Sequence, residues 1–277
     1  MIRCPGRGSW RGRMGMKRIA AAWTLAALAG TAGIALAAAP QATTFLDPGY
    51  LDLADVILPA PIPQEPRGVA DREVFKLTRA LKGTPRWDMA VADVPGDTAS
   101  MMRDFGCATR IAMTPVNAPK TAALLEQASR DARGETNRLK AFYKKKRPFL
   151  IDSGETCEPQ TDELAQSYDY PSGHATRGWT WGLVLAEVLH ERAGPILARA
   201  RAYGESRIVC GVHNMSAVEA GRMVASSTLA VVRTERAYAD MVTAARAELA
   251  TLPKRDDAAS VQACSTEELL VTQPIFR

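Results

Sequence analysis

The chain has 277 residues, of which 47% are hydrophobic and 23% are charged, and this composition excludes a disordered or fibrous protein. The length suits one large domain or two small ones. The first 39 residues contain six basic residues and no acidic residue, so that the net charge of +5 falls to −1 without them. A nearly neutral body argues against nucleic-acid binding.

Residues 1–39 have the pattern of a secretory signal peptide. Lys17 and Arg18 precede an apolar, alanine-rich run over residues 19–36, and small residues suited to cleavage follow it. An uncleaved membrane anchor is the alternative, but alanine, glycine and threonine make this run only weakly hydrophobic. We therefore predict export to the periplasm, with translation starting at the first residue, at Met14 or at Met16.

The predicted mature chain, from residue 40 on, keeps four cysteines, an even number that allows two disulfides in an oxidising compartment. Their spacing does not fit the C-x-x-C pattern of a zinc site. Three pairings are possible, and we favour Cys157–Cys210 with Cys107–Cys264.

The elements follow from proline content and apolar spacing. Residues 40–69 are proline-rich and predict an N-terminal arm, after which Asp71 is placed to cap a first helix that starts near Ala70. Apolar spacing of three and four predicts helices over 87–92, 98–113, 117–142, 176–190, 195–203 and 218–252. A loop is expected over 149–170 and a polar, peripheral tail over 253–277. The sequence thus predicts an all-α, single domain over residues 70–252.

Lys140 and Arg147 form the first cluster of candidate site residues. Seven residues are two helical turns, so both side chains would share one face before Pro148 ends the helix. Two such cations can hold the oxygens of a tetrahedral anion. A solvated basic surface is the alternative interpretation, and we expect it for Lys144–Lys146.

The second cluster is Pro171-Ser172-Gly173-His174, at the start of a predicted helix. Ser172 can cap the helix or donate to an anion, and the N–H of Gly173 lies at the positive helix end. Without its context, His174 is equally well an ordinary neutral histidine.

The third cluster is Ser206-Arg207 with His213. Six residues do not place Arg207 and His213 on one helical face, so a bend near Gly211 is needed to bring them together. Otherwise Arg207 is a salt-bridged surface residue and His213 an ordinary polar contact. We interpret His190 as an ordinary residue at a helix end.

In this order and spacing the three clusters resemble the signature K-x6-R-P, P-S-G-H and S-R-x5-H of the type 2 phosphatidic acid phosphatase and vanadium haloperoxidase superfamily. With its signal peptide and residues 218–222, the chain is most similar to the bacterial class A non-specific acid phosphatases, over roughly residues 70–235. The resemblance implies a helical bundle with the phosphate site at its core.

The resemblance also implies a role for each matched residue. His213 would be the nucleophile that forms a phosphohistidine, and His174 would protonate the leaving alcohol and then activate water. The phosphoryl oxygens would be held by Lys140, Arg147, Ser172, Gly173 and Arg207. No metal or other cofactor is implied, and phosphate or vanadate can occupy the site. Fixed cations and two imidazoles suit phosphoryl transfer, which depends on positioning and charge neutralisation.

One position departs from the pattern, which continues as His-x3-Asp after the nucleophile. Ala217 stands where that aspartate is expected, on a helix one turn beyond His213. By analogy with a catalytic triad, its loss costs on the order of 10²–10⁴ in rate. Ser216 is a partial substitute. We therefore expect an exported acid phosphatase for phosphate monoesters with reduced activity.

Two alternatives stay open. The chain could be an impaired enzyme that only binds phosphate or a phospholigand, because the anion-holding residues are all in place. It could also be a vanadium-dependent haloperoxidase, which uses the same cradle for vanadate. The expected partners are small phosphorylated substrates and no nucleic acid. No stable membrane insertion is expected after signal cleavage, and a homo-oligomer is left open.

Overall fold

The computed structural model describes residues 43–276, and the predicted signal peptide lies outside them. Eleven helices form in that part of the chain, and no β-strand forms there, so the predicted all-α class is confirmed. The helices are α1 Pro66–Thr78, α2 Pro85–Ala92, α3 Thr98–Asp104, α4 Gly106–Thr109, α5 Pro119–Tyr143, α6 Asp162–Gln166, α7 Gly173–Val188, α8 Ala193–Val209, α9 Met215–Val232, α10 Arg236–Ala250 and α11 Ala258–Thr272. Between residues 43 and 276 none of these helices has the length and apolar character needed to cross a membrane.

Helix α7 lies at the centre and packs against α5, α8 and α9. Its glycines allow close approach: a Cβ added at Gly178 would lie 2.4 Å from Tyr203, and one added at Gly182 would lie 2.3 Å from the Cβ of Ala200. Because the contacts run in opposite directions along the two helices, α7 and α8 are antiparallel. The start of α7 therefore lies beside the end of α8, and the start of α9 follows there.

Helix α1 begins four residues earlier than predicted. Pro66 occupies its first turn, where the missing N–H removes no helical hydrogen bond, and Glu65 stands at the N-cap. The prediction that Asp71 caps this helix is wrong. Asp71 lies inside the helix, is only 2% exposed, and accepts hydrogen bonds from the backbone and hydroxyl of Ser216. Its carboxylate joins two distant elements instead of ending one.

The arm that precedes α1 lies on the helical domain. Leu53 and Ile57 are buried there, and the backbone N–H groups of Phe45 and Leu46 donate to the carboxylate of Asp131 on α5. These hydrogen bonds satisfy arm backbone groups that lie against the protein.

The segment after residue 252 is more than a peripheral tail. It contains α11, and Cys264 of α11 is bonded to Cys107 of α4 with a Cα–Cα distance of 5.1 Å. Glu267 also pairs with Arg199 of α8 at 3.2 Å. Only Cys264 and Val271 of this helix are buried, which explains why apolar spacing did not predict its attachment. The second disulfide is Cys157–Cys210, so both favoured pairings are confirmed.

Candidate active site

The candidate site forms where α7 begins, α8 ends and α9 begins. Ser172 is the N-cap of α7, where its Oγ accepts from the Ala175 backbone N–H at 3.3 Å, and Gly173 and His174 are the first two helical residues. Ser172 keeps its hydroxyl proton for donation, because the cap uses only an oxygen lone pair. The backbone N–H groups at this helix start favour an anion.

A tight turn brings Arg207 and His213 together, as predicted. Gly211 has φ +71°, a left-handed conformation that favours glycine, and the backbone N–H groups of Val212 and His213 both donate to the carbonyl of Arg207 at 3.2 Å. The chain therefore folds back on the end of α8, and the imidazole comes to lie among the cations.

Lys140 and Arg147 also reach the site, but they do not share a helical face as predicted. Helix α5 ends at Tyr143 because Lys144 turns into the left-handed region at φ 49°, and Arg147 is extended. Lys140 donates to the carbonyl of Tyr168. The cations converge through this bend rather than through helical periodicity.

His213 is 4% exposed and has a defined partner on each ring nitrogen. Its Nδ1 lies 2.9 Å from a carboxylate oxygen of Asp169, and its Nε2 lies 3.1 Å from Nη1 of Arg147. A guanidinium can only donate, so Nε2 must be the acceptor and Nδ1 must carry the proton. The neutral ring thus presents its Nε2 lone pair to the cations.

The expectation that His213 lacks a supporting carboxylate is wrong. Position 217 is alanine, but Asp169 takes the place from the segment that precedes α7. Ser216, the predicted substitute, donates its hydroxyl to Asp71 and does not contact His213. The missed residue is 44 positions from His213, and its one local signal is that it stands three residues before Ser172.

Asp169 is fully buried and surrounded by donors. It accepts from the backbone N–H of Asn214 at 3.1 Å and from its side-chain amide at 2.8 Å, and Lys145 Nζ lies 3.7 Å away. Burial raises the pKa of Asp169, and Lys145 and Asn214 oppose that shift. Lys145, expected on a solvated surface, also pairs with the buried Asp71 at 2.7 Å.

Arg147 and Arg207 differ in how fully their donors are used. Arg147 donates to the Val212 carbonyl at 2.7 Å and to the carbonyl and hydroxyl of Ser167 at 2.5 and 3.2 Å. Arg207 pairs with Glu158 through Nη2, and its buried Nε and Nη1 have no hydrogen-bond partner among residues 43–276. Unpartnered buried guanidinium donors are expensive unless an anion accepts from them.

The imidazole of His174 stacks on the ring of Tyr203, with 5.8 Å between the two ring centroids. Its Nε2 lies 3.0 Å from the carbonyl of Val94, in the loop between α2 and α3. A carbonyl only accepts, so Nε2 carries a proton and Nδ1 is left for other chemistry.

The cations and the burial act together on the site's pKa values. Burial, followed by the charge of Arg147, lowers the pKa of Lys140 to about 7. Burial, then Arg207, lowers the pKa of His174 to about 3, and burial, then Arg147, lowers that of His213 well below its usual value. Both rings are therefore neutral near pH 7, and the site carries excess positive charge that an anion would balance.

This arrangement can bind a tetrahedral anion and attack its central atom. Seven predicted residues lie together around the paired helix ends: Lys140, Arg147, Ser172, Gly173, His174, Arg207 and His213. Across residues 43–276 no three histidine, cysteine, aspartate or glutamate side chains lie close enough to hold a metal ion.

Comparison with known proteins gives one family. The model of the PAP2 superfamily matches residues 122–239. The acid phosphatase of Zymomonas mobilis subsp. mobilis is 35% identical over 194 residues, which cover 70% of this chain and 74% of that protein. The non-specific acid phosphatases of Salmonella typhimurium and Providencia stuartii are 32% and 33% identical, over 69% and 66% of this chain and 77% and 75% of theirs.

Proposed function

The chain belongs to the PAP2 superfamily and is an acid phosphatase, and from that premise we propose that it hydrolyses small phosphate monoesters through a phosphohistidine on His213. The observation that carries this proposal is the state of the His213 ring. Its Nδ1–H is held by Asp169, so its Nε2 lone pair is directed at the cations that would hold a phosphoryl group.

The first half of the reaction transfers the phosphoryl group to the protein. Nε2 of His213 attacks phosphorus as the bond to the ester oxygen breaks, and His174 gives that oxygen a proton. His174 must take up this proton first, and the negative charge of a bound phosphate raises its depressed pKa. The backbone N–H of Gly173, the Ser172 hydroxyl and the three cations neutralise the transferring oxygens.

The second half returns the protein to its starting state. His174, now neutral, removes a proton from water as that water attacks phosphorus and the phosphorus–nitrogen bond breaks. Inorganic phosphate leaves, and His213 recovers its lone pair. The mechanism as proposed uses no metal, because Lys140, Arg147 and Arg207 supply the charge that phosphoryl transfer needs.

Export is part of the proposal. Its support is the signal-peptide pattern of residues 1–39 together with two disulfides in the body of the chain. Disulfides persist in oxidising compartments such as the periplasm.

Turnover of an aryl phosphate tests the function. We expect phosphate release that vanadate inhibits, His213→Ala to abolish it, and His174→Ala to reduce it by about 10²–10⁴. His190→Ala is the matched control, because that histidine lies on the surface with its side chain 81% exposed. Quenching in alkaline detergent, in which a phosphohistidine is stable, after mixing with ³²P-labelled substrate should trap label on the wild type but not on His213→Ala. A folded protein without activity between about pH 4 and 8 would refute the proposal.

A protein that binds phosphate without turnover is the second candidate. Ala217 is the reason to consider this candidate, because alanine cannot support the His213 ring. The contact between Asp169 and His213 supplies that support and removes the reason. A haloperoxidase is the third, and the relatives named acid phosphatase favour hydrolysis over it. Calorimetric phosphate binding without hydrolysis would support the second candidate, and halide oxidation with added vanadate the third.

A further inference from the structure

We propose that Asp169 is the positioning residue of the nucleophilic histidine, in the role that the family pattern gives to position 217. Its catalytic consequence rests on the proposed function. Asp169 lies before His213 in the sequence, in the segment that precedes α7. Residue 217 lies after His213, in the first turn of α9. The segments that carry the two positions meet in space, because the N–H of Ser172 donates to the carbonyl of Ala217 at 2.9 Å.

The surroundings of positions 169 and 217 fit a carboxylate at position 169 in place of one at position 217. Asp169 accepts hydrogen bonds from three donors, the Nδ1 of His213 and both nitrogens of Asn214, and the Lys145 ammonium lies 3.7 Å away, so a carboxylate is satisfied there. Ala217 is fully buried in an apolar cluster with Leu139 and Tyr170. The carboxylate at position 169 and the methyl group at position 217 therefore match their environments.

The expected effect of Asp169 is on the ring of His213. Accepting the Nδ1–H fixes the tautomer that has its lone pair on Nε2, and the carboxylate's charge stabilises the cationic ring formed during phosphoryl transfer. A purely structural carboxylate would affect the melting temperature and leave kcat of the folded protein unchanged.

Asp169→Asn tests this role, with Asp131→Asn as the control for loss of a buried carboxylate outside the site. We expect kcat of Asp169→Asn to fall by about 10²–10⁴ with little change in KM. The ¹⁵N spectrum of His213 should lose its single Nδ1–H tautomer. The Asp131 variant should keep kcat and tautomer although one of the two backbone N–H groups that donate to Asp131 loses its acceptor.

Two results would overturn the proposal: kcat within threefold of wild type in Asp169→Asn, or an unchanged His213 tautomer. The spectrum does not depend on turnover. An inactive wild type with an Asp169-dependent tautomer would therefore count against the proposed function but support the positioning role.

A second, independent observation concerns Glu158, whose carboxylate pairs with Arg207 inside the cradle. The side chain of Arg207 is 3% exposed and that of Glu158 is 20% exposed. The charge of Glu158 also acts on Arg147, where it opposes the lowering of that pKa. An internal anion is thus paired with Arg207 and acts through its charge on Arg147.

The chain holds Glu158 in this place through its neighbour. Cys157 is bonded to Cys210, three residues beyond Arg207, and its backbone N–H donates to the Cys210 carbonyl at 3.2 Å. The hydroxyl of Thr156 donates to the Glu158 carbonyl at 2.7 Å. The covalent link therefore keeps a carboxylate beside the end of α8.

We infer that Glu158 competes with the phosphoryl group for Arg207 and so sets the affinity of the site. Two anions on one cradle repel each other, so phosphate must displace the carboxylate. The charged and titratable groups around this position are Arg207 of α8, Arg147 after α5, Lys140 of α5, His174 of α7 and His213 before α9.

Glu158→Gln tests the competition, with Glu155→Gln as the matched control. Glu155 lies in the same loop but pairs with the exposed Lys82. Calorimetry with inorganic phosphate at pH 7 measures the affinity without turnover. At pH 7 we expect Glu158→Gln to bind phosphate about tenfold more tightly, equivalent to about 1.4 kcal/mol, and Glu155→Gln to match the wild type.

Equal or weaker phosphate binding in Glu158→Gln at pH 7 would overturn this inference alone, since Glu158 would then only orient Arg207. No phosphate binding in any variant would overturn this inference and also remove the cradle on which the proposed function rests.

Discussion

Lys140 couples anion binding to protonation. With a pKa of about 7 it is about half charged at neutral pH, because burial and Arg147 disfavour the cation. A bound dianion favours the charged form and raises this pKa, so binding at pH 7 should take up protons. Calorimetry with sulfate, a tetrahedral dianion that does not titrate here, in buffers of different ionisation enthalpy should show this uptake.

Two lysine substitutions test whether Lys140 is the group that takes up the protons. Lys140→Met should remove most of the uptake at pH 7, whereas Lys144→Met, which changes an exposed lysine, should keep it. Equal proton uptake in the wild type and in Lys140→Met would assign the linkage to another group.

Moving the carboxylate from position 169 to position 217 tests whether His213 needs the charge of a neighbouring carboxylate or only a packed side chain. Asp169→Ala should lower kcat, and adding Ala217→Asp should recover at least about tenfold, because position 217 lies one turn beyond His213 at the start of α9. An acidic residue in a first helical turn is also favourable. Ala217→Asn in the same background is the uncharged control, and an equal recovery there would mean that packing suffices.

At this scale the sequence predicted the residues that meet at the candidate site but not those that support them. The three motifs are local, so their resemblance to the family signature identified His174, His213 and the cations. Asp169 supports His213 across 44 residues, and Lys145 meets Asp71 across 74. Such partners depend on how α1, α7 and α9 meet, which no local spacing reports.

The two disulfides differ in whether they hold a segment that contacts the candidate site. Cys107–Cys264 holds α11 against α4, away from the cradle, whereas Cys157–Cys210 holds the loop that carries Glu158. We expect Cys107→Ser with Cys264→Ser to lower the free energy of unfolding by about 2–5 kcal/mol and leave KM nearly unchanged. Cys157→Ser with Cys210→Ser should change KM as well, because the carboxylate beside Arg207 is released. An identical KM in both double variants would contradict this difference.

Helix prediction succeeded where apolar spacing and end signals agree. The structure has α5 over Pro119–Tyr143, close to the predicted 117–142, because Pro119 starts it and a buried stripe continues to Leu139. The predicted helix over 98–113 divides into α3 and α4, and Arg110 ends α4 in the left-handed region at φ 58°. An arginine in that conformation gives no signal in the sequence, whereas a glycine would.

At the scale of the whole molecule, the site depends on how closely three helices approach. Glycines on α7 and α9 replace side chains where the helices meet: a Cβ at Gly221 would lie 2.7 Å from the carbonyl of Ser172, the cap beside the candidate site. The same contacts that bury the core therefore set the distance between the start of α7 and the start of α9.

Two glycine-to-alanine substitutions in helices separate close packing from helix propensity. Gly134 lies in α5, and no atom of the described residues lies within 4 Å of an added Cβ, so Gly134→Ala should raise the free energy of unfolding by about 0.5–1 kcal/mol. Gly182→Ala gains the same propensity but places a methyl group 2.3 Å from the Cβ of Ala200, so α7 and α8 must separate. Overpacking of this kind costs about 1–3 kcal/mol, and urea unfolding of the two variants should therefore give shifts of opposite sign. Since α7 carries Ser172, Gly173 and His174 at its start, Gly182→Ala should also lower kcat more than Gly134→Ala does. Stabilisation by both substitutions would show that α7 and α8 can move apart without cost, and the close approach would then not be what positions the site.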